Sequence, residues 1–159
     1  MLRLSKKADY ALIAMRHLAG AAADGSVSAR EIAESYSIPA ELLAKVLQRL
    51  VRAKLLVSVQ GTRGGYRLAG PAARLTVADV IQAIDGPVAV TACSPVDHGC
   101  DQYDHCEIRD PLWKIKERIV DALARVSLAE LAEPAPAPGA PVAGAMFMRL
   151  ASPPPQVAE

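Results

Sequence analysis

The sequence predicts a mainly α fold with one small β-hairpin. Three observations predict it. Apolar residues recur at helical spacing through residues 6–22, 29–36 and 39–53. The period then falls to two in residues 55–60 and 65–68, on either side of Gly61-Thr62-Arg63-Gly64. A helical period resumes after Pro111. Between the halves lies a polar stretch, residues 91–110, that holds all three cysteines.

Each element has a start and a stop. Ser5 is placed to cap the first helix, whose apolar side should be Tyr10, Leu12, Ile13, Leu18 and neighbouring alanines, with Lys6, Lys7 and Arg16 polar and Asp24-Gly25 as the end. Ser28-x-x-Glu31 reads as a capping box opening a short second helix with Ile32 and Ala33 inward. Ser37-Ile38-Pro39 is the turn, and Pro39 suits the first turn of a third helix. That helix should bury Leu42, Leu43, Val46, Leu47 and Leu50 and leave Glu41, Lys45, Gln48, Arg49 and Arg52 outside. The hairpin follows, with glycines at a basic tip, where positive φ is tolerated without strain. Two helices, a short turn and a hairpin make a winged helix-turn-helix domain.

Thr76 caps a fourth helix, 77–84, which stops at Asp85-Gly86-Pro87. Pro111 opens a last helix in which Leu112, Ile115, Ile119, Leu123 and Val126 form one stripe, with Trp113 and Val120 beside it. Lys114, Glu117, Arg118, Asp121 and Arg125 take the other face. The stripe is wider than one short domain needs, so a long C-terminal dimerisation helix is expected, with packing inside the monomer as the alternative. Ser127-x-x-Glu130 starts a short helical coda. Seven of the twelve prolines lie beyond Glu133, and that tail reads as disordered, with Met146-Phe147-Met148-Arg149-Leu150 its only apolar island. The expected organisation is 1–86 DNA-binding domain, 87–110 cysteine-rich loop, 111–132 dimerisation helix and 133–159 tail.

The net charge of +1 hides an asymmetry. Residues 1–67 carry eleven Lys/Arg against five Asp/Glu, and residues 75–110 carry one Arg against seven Asp/Glu. A basic half suits a polyanion, and the acidic half suits another kind of site. No apolar leader follows the N-terminus and no run approaches the ~18 apolar residues of a membrane span, so no membrane partner is expected. An odd cysteine count without a leader points to a reducing cytoplasm.

On the basic half, Glu41 is suited to accept from cytosine N4, and Gln48 and Arg49 to pair with purine edges of double-stranded operator DNA. Lys45 and Arg52 suit phosphates, as do Ser28 and Arg30 at the start of the second helix. Arg63 at the wing tip suits the minor groove or the flanking backbone. The competing reading of each charge is a merely solvated face. One module offers a small interface, so two half-sites and a homodimer are expected.

Cys93, Cys100 and Cys106 are spaced C-x6-C-x5-C in a stretch with a proline, a glycine, two histidines and five Asp/Glu. Such a stretch has little apolar surface to order it, whereas thiolates converging on a metal or an iron–sulfur cluster would. Incidental buried cysteines are the competing reading.

Several motifs carry a resemblance. Leu2-Arg3-Leu4-Ser5-x-x-x-Asp9-Tyr10-Ala11-Leu12, the wing Gly61-x-x-Gly64-Gly65-Tyr66-x-Leu68, Thr76-Val77-x-Asp79-Val80-Ile81 and the three-cysteine loop occur in order over about residues 1–132. Together they resemble the iron–sulfur-responsive winged-helix repressors typified by IscR and NsrR. Gly86-Pro87-Val88-Ala89-Val90-Thr91-Ala92-Cys93-Ser94 and Cys106-x-x-Arg109 are most similar to regulators of the SUF cluster-assembly system. The resemblance implies a homodimer with crossed long helices, an iron–sulfur cluster (2Fe–2S or 4Fe–4S) on Cys93, Cys100 and Cys106, and control of cluster-assembly genes. The IscR type places a histidine three residues after the third cysteine; here Arg109 stands there. The NsrR type uses an aspartate of the other subunit, and Asp9 matches it, so Asp9 in trans is the first choice of fourth ligand. His98 and His105 are next, and a helix-dipole carboxylate is the competing role of Asp9.

Three rivals share parts of this pattern. A nitric oxide sensor keeps the fold and changes the signal. A zinc or thiol-switch regulator would use the same cysteines. A small redox enzyme lacks support: there is no four-cysteine ferredoxin spacing, Gly-rich nucleotide loop or nucleophile–base set.

Overall fold

The computed structural model describes residues 4–21, 25–61, 64–89 and 105–134. α1 (Lys6–Gly20) starts where Ser5 Oγ accepts from the Ala8 amide at 3.2 Å. Its buried side is Ala8, Ala11, Ala14, Met15 and Leu18. The expected Tyr10, Leu12 and Ile13 only flank that core, half-buried. The reason is crowding: α1 packs against α3, α4, α6 and β2, and alanines let those neighbours approach closely.

α2 (Ala29–Ser35) is capped by Ser28 Oγ, which accepts from the Glu31 amide at 3.1 Å, and it buries Ile32 and Ala33. Ser37 takes the left-handed conformation (φ 52°) that reverses the chain. Pro39 is the residue that precedes α3 (Ala40–Arg52) rather than its first turn. α3 buries Leu43, Val46, Leu47 and Leu50, and Leu42 stays half-buried.

β1 (Leu56–Val59) and β2 (Gly65–Leu68) form the antiparallel wing, with Leu56 opposite Leu68 and Val59 opposite Gly65. The chain between α1 and α2 adds a third rung, since Val27 and Tyr66 exchange two backbone hydrogen bonds at 3.0 and 2.9 Å. The wing is thereby tied to the entry of the helix-turn-helix.

After one 3-10 turn (Ala72–Arg74), α4 (Val77–Asp85) opens with a full capping box. Thr76 Oγ1 accepts from the Asp79 amide at 3.2 Å, and the Asp79 carboxylate accepts from the Thr76 amide at 2.9 Å. Gly86 (φ 83°) ends it. α5 (Arg109–Arg125) begins two residues ahead of Pro111, whose missing amide is harmless in a first turn. The chain then returns: Val77 N donates to Val126 O at 3.0 Å and Leu128 N to Leu75 O at 2.8 Å. α6 (Leu128–Ala132) docks beside α1 with Leu128 fully buried, and Arg16 Nε donates to Leu131 O at 3.1 Å. The coda therefore joins the core of the DNA-binding half. The tail from residue 135, with its apolar island, lies outside the described residues.

Candidate nucleic-acid interface and sensor segment

α3 presents Glu41, Lys45, Gln48, Arg49 and Arg52 on its exposed side. They stand there because Leu43, Val46, Leu47 and Leu50, each at most 1 % exposed, fix the opposite stripe in the core. Lys45, Gln48, Arg49 and Arg52 share a shallow groove of about 370 Å³ with Lys7 of α1, and Leu42 and Val46 line it too. Four cations over one concavity concentrate positive potential where a phosphate backbone can lie. Glu41 sits in the first turn of α3 and does not line the groove.

Lys7 was not singled out from sequence, although a signal existed. Lysines at the start of a helix oppose its dipole, so Lys6 and Lys7 ask for a role other than helix stability. Arg49 is also placed unexpectedly. Its Nη1 donates to the Ile84 carbonyl at 2.9 Å, at the C-terminal end of α4.

On α2, the Ser28 hydroxyl oxygen already accepts a capping bond, and its O–H remains a donor. Arg30 is exposed, and its Nε donates to Glu34 at 2.7 Å. That hydrogen bond and the neighbouring negative charge raise the guanidinium pKa. Arg63 lies outside the described residues, between Gly61 and Gly64 of the wing.

Cys93, Cys100 and His98 also lie outside them. Cys106 is a free, half-buried thiol three residues ahead of α5, and His105 beside it is exposed. Asp9 is exposed in the first turn of α1 and has no ion-pair partner among the described residues. Cys106, His105 and Asp9 do not form a ligand set by themselves: among the described residues no three His, Cys, Asp or Glu gather into a metal-binding group. Arg109 donates from Nε to the Asp110 carboxylate at 2.8 Å, and that bond with its charge lowers the Asp110 pKa. Position 109 thus offers a donor of hydrogen bonds.

α5 has no buried residue. Leu112, Trp113, Ile119, Val120 and Leu123 are half-covered, while Ile115 is 45 % exposed and Ile108, just ahead of the helix, 63 %. No helix among the described residues is long and apolar enough to cross a membrane.

A capped two-helix reader with a basic outer face, braced by a hairpin wing, defines a winged helix-turn-helix DNA-binding protein of the transcription-regulator class. More particularly, the chain belongs to the Rrf2 family, whose model, described as an iron-dependent transcriptional regulator, matches residues 4–134. It is similar to the HTH-type transcriptional regulator IscR of Xenorhabdus nematophila, at 37 % identity over 131 residues, 82 % of this chain and 79 % of that protein. Among solved structures it is similar to CymR, the global cysteine regulator of B. subtilis (TM-score 0.68, 26 % identity, 83 % of this chain and 97 % of that one). It is similar as well to IscR of T. potens (TM-score 0.64, 28 % identity, 82 % and 85 %).

Proposed function

We propose that this regulator is a homodimeric repressor that senses iron–sulfur cluster status and controls SUF-type cluster-assembly genes. The observation that carries the reading is α5. Seventeen residues with an apolar stripe have no member that is buried among the described residues. A second copy crossing at that stripe covers both helices and sets two recognition helices at a fixed spacing, which two operator half-sites require.

The donors suit a cluster. Thiolates are the usual protein ligands of iron–sulfur centres, ordinarily four of them, so three leave one position for another group. Cys93, Cys100 and Cys106 would hold it, and Asp9 of the other subunit, an exposed carboxylate, would complete the set. A bound cluster would supply iron as a reversible acceptor of these thiolates. Cys106 stands just ahead of α5, so what its sulfur holds sets how the dimer helix begins. Asp9 stands in the first turn of the helix that braces the reader. In DNA, Glu41 and Gln48 read base edges, Lys45 and Arg52 meet phosphates, Ser28 and Arg30 hold the phosphate at the start of α2, and Arg63 reaches the minor groove or backbone.

Anaerobic purification tests this. The expected result is a coloured dimer with iron and sulfide, whose affinity for the promoter of the assembly genes changes when the metal is chelated. A colourless protein that binds that promoter equally well with all three cysteines changed to serine would refute it. If Asp9→Ala leaves spectrum and affinity unchanged, Asp9 is no ligand.

A second reading has one observation in its favour, the likeness to CymR. In a thiol switch, two cysteine thiols would lose two protons and two electrons to an oxidant and form a disulfide. That protein would be colourless and would change its DNA affinity reversibly with oxidant and dithiol. A colourless, zinc-containing protein would point to a zinc site instead.

A further inference from the structure

We propose that Arg49 acts on operator DNA through α4: it is a positioning residue that ties the recognition helix to the point where the chain leaves for its cysteines. Arg49 lies in the last turn of α3, where that helix packs beside α4. Its Nη1 donates to the Ile84 carbonyl at 2.9 Å. That oxygen is one of the last in α4, where carbonyls lack helical partners and negative dipole charge collects, so a guanidinium satisfies both. Among the described residues, Lys45, Gln48 and Arg52 make no such bond.

The next residue is gripped from another side. The Asp85 carboxylate accepts from the Ser5 amide at 3.0 Å and from Ser5 Oγ at 2.5 Å. Ser5 is the cap of α1, four residues ahead of Asp9. Two consecutive residues at the end of α4 are therefore held by α3 and by α1. One residue later Gly86 (φ 83°) ends the helix, seven positions ahead of Cys93 in the sequence. A displacement of this end passes into the pitch of α3 through one short bond. What would displace it rests on the sensor reading above; that Arg49 positions α3 does not.

The test uses the full-length chain and a duplex enriched from a random DNA pool against the wild-type protein. Affinity is measured against salt, and base preference position by position, for wild type, Arg49→Met, Asp85→Ala and the double variant. Each single change is expected to weaken binding about tenfold, the size of a lost hydrogen bond to a charged group. The salt slope and the base preferences should stay those of the wild type. The double variant should bind within about twofold of the weaker single, because both changes free the same helix end. A salt slope shallower by about one in Arg49→Met would make Arg49 a phosphate contact. Lost preference at one base pair would make it a base contact. Multiplying losses, or unchanged affinity, would also overturn the proposal. Should Asp85→Ala not fold, Ser5→Gly replaces it in the cycle, since glycine keeps the cap conformation. Thiol-alkylated wild type is measured alongside. Affinity equal to that of the unmodified chain would count against the sensor reading alone, because the other readouts need only one form of the protein.

Discussion

A methyl group at Gly65 should damage the wing by a route that leaves no side chain to yield. A Cβ built there would stand 2.4 Å from the Val27 carbonyl oxygen, 2.6 Å from its carbon and 3.0 Å from the Ser28 nitrogen. All three are backbone atoms, so the only relief is for the segment of Val27 to leave β2. Leaving breaks both Val27–Tyr66 hydrogen bonds, at roughly 1 kcal/mol each. It also loosens the Val27 side chain, now 7 % exposed, for about another 1 kcal/mol. Gly65→Ala should thus lose about 2–4 kcal/mol, read as a lower urea midpoint at unchanged slope. Operator affinity should fall too, because Ser28, the cap of α2, is the next residue along. Gly20→Ala is the internal control: no neighbour lies within 4 Å of its Cβ, and it should be neutral or stabilising by up to about 1 kcal/mol. If the two variants unfolded at the same denaturant concentration, the close approach would not be what makes residue 65 a glycine.

Other outcomes follow from packing. Leu128→Ala removes a fully buried side chain where α6 closes on α1 and should lose about 2–5 kcal/mol in denaturant melts; a loss typical of surface sites would mean α6 does not dock. Ile115→Glu should leave the fold of the monomer intact, since Ile115 is 45 % exposed, yet shift sedimentation from dimer to monomer; a variant that stays dimeric would place the interface elsewhere. Thr76→Ala removes the capping side chain of α4 and should lose about 1 kcal/mol of thermal stability.

The elements with strong periodicity were legible. α3 and β2 matched their sequence readings within a residue, because a half-buried amphipathic helix and a Gly-bounded strand each announce one face. α1 was legible as a helix, but its buried face was not. A helix surrounded on several sides packs through Ala8, Ala11 and Ala14, and alanine carries little hydrophobic contrast to read. The glycines of the wing pointed to turn geometry, yet only Gly61 has positive φ there (129°), and Gly65 is small because a backbone passes beside it. That neighbour, Val27, comes from some forty positions away in sequence, and a single-sequence pattern holds no trace of such a pairing. The basic face of α3 was legible as a set of residues. The bond that turns Arg49 toward Ile84 was not, because its acceptor is a main-chain oxygen common to every residue type.

The two ends of α4 explain why the cysteine segment can matter to a reader it does not belong to. The chain leaves the end of α4 at Asp85, passes the cysteines, runs the length of α5 and returns to its start, where Val126 O accepts from Val77 N and Leu128 N donates to Leu75 O. Departure and return are separated by one nine-residue helix, about 13 Å long. The segment between, with the three cysteines and the apolar stripe of α5, has both its feet on α4. Under the proposed function, a change in how Cys106 is held or in how two copies of α5 cross would act along this segment on α4, beside the route through Asp9 and α1. The return foot is stitched to the core by two backbone bonds and by Leu128, whereas the departure foot is held, beside buried Ile84, by bonds that each need a side chain, Arg49 to the Ile84 carbonyl and the Asp85 carboxylate to Ser5. Side-chain grips yield first, so the departure end is where strain from the excursion should appear and where the reader would feel it.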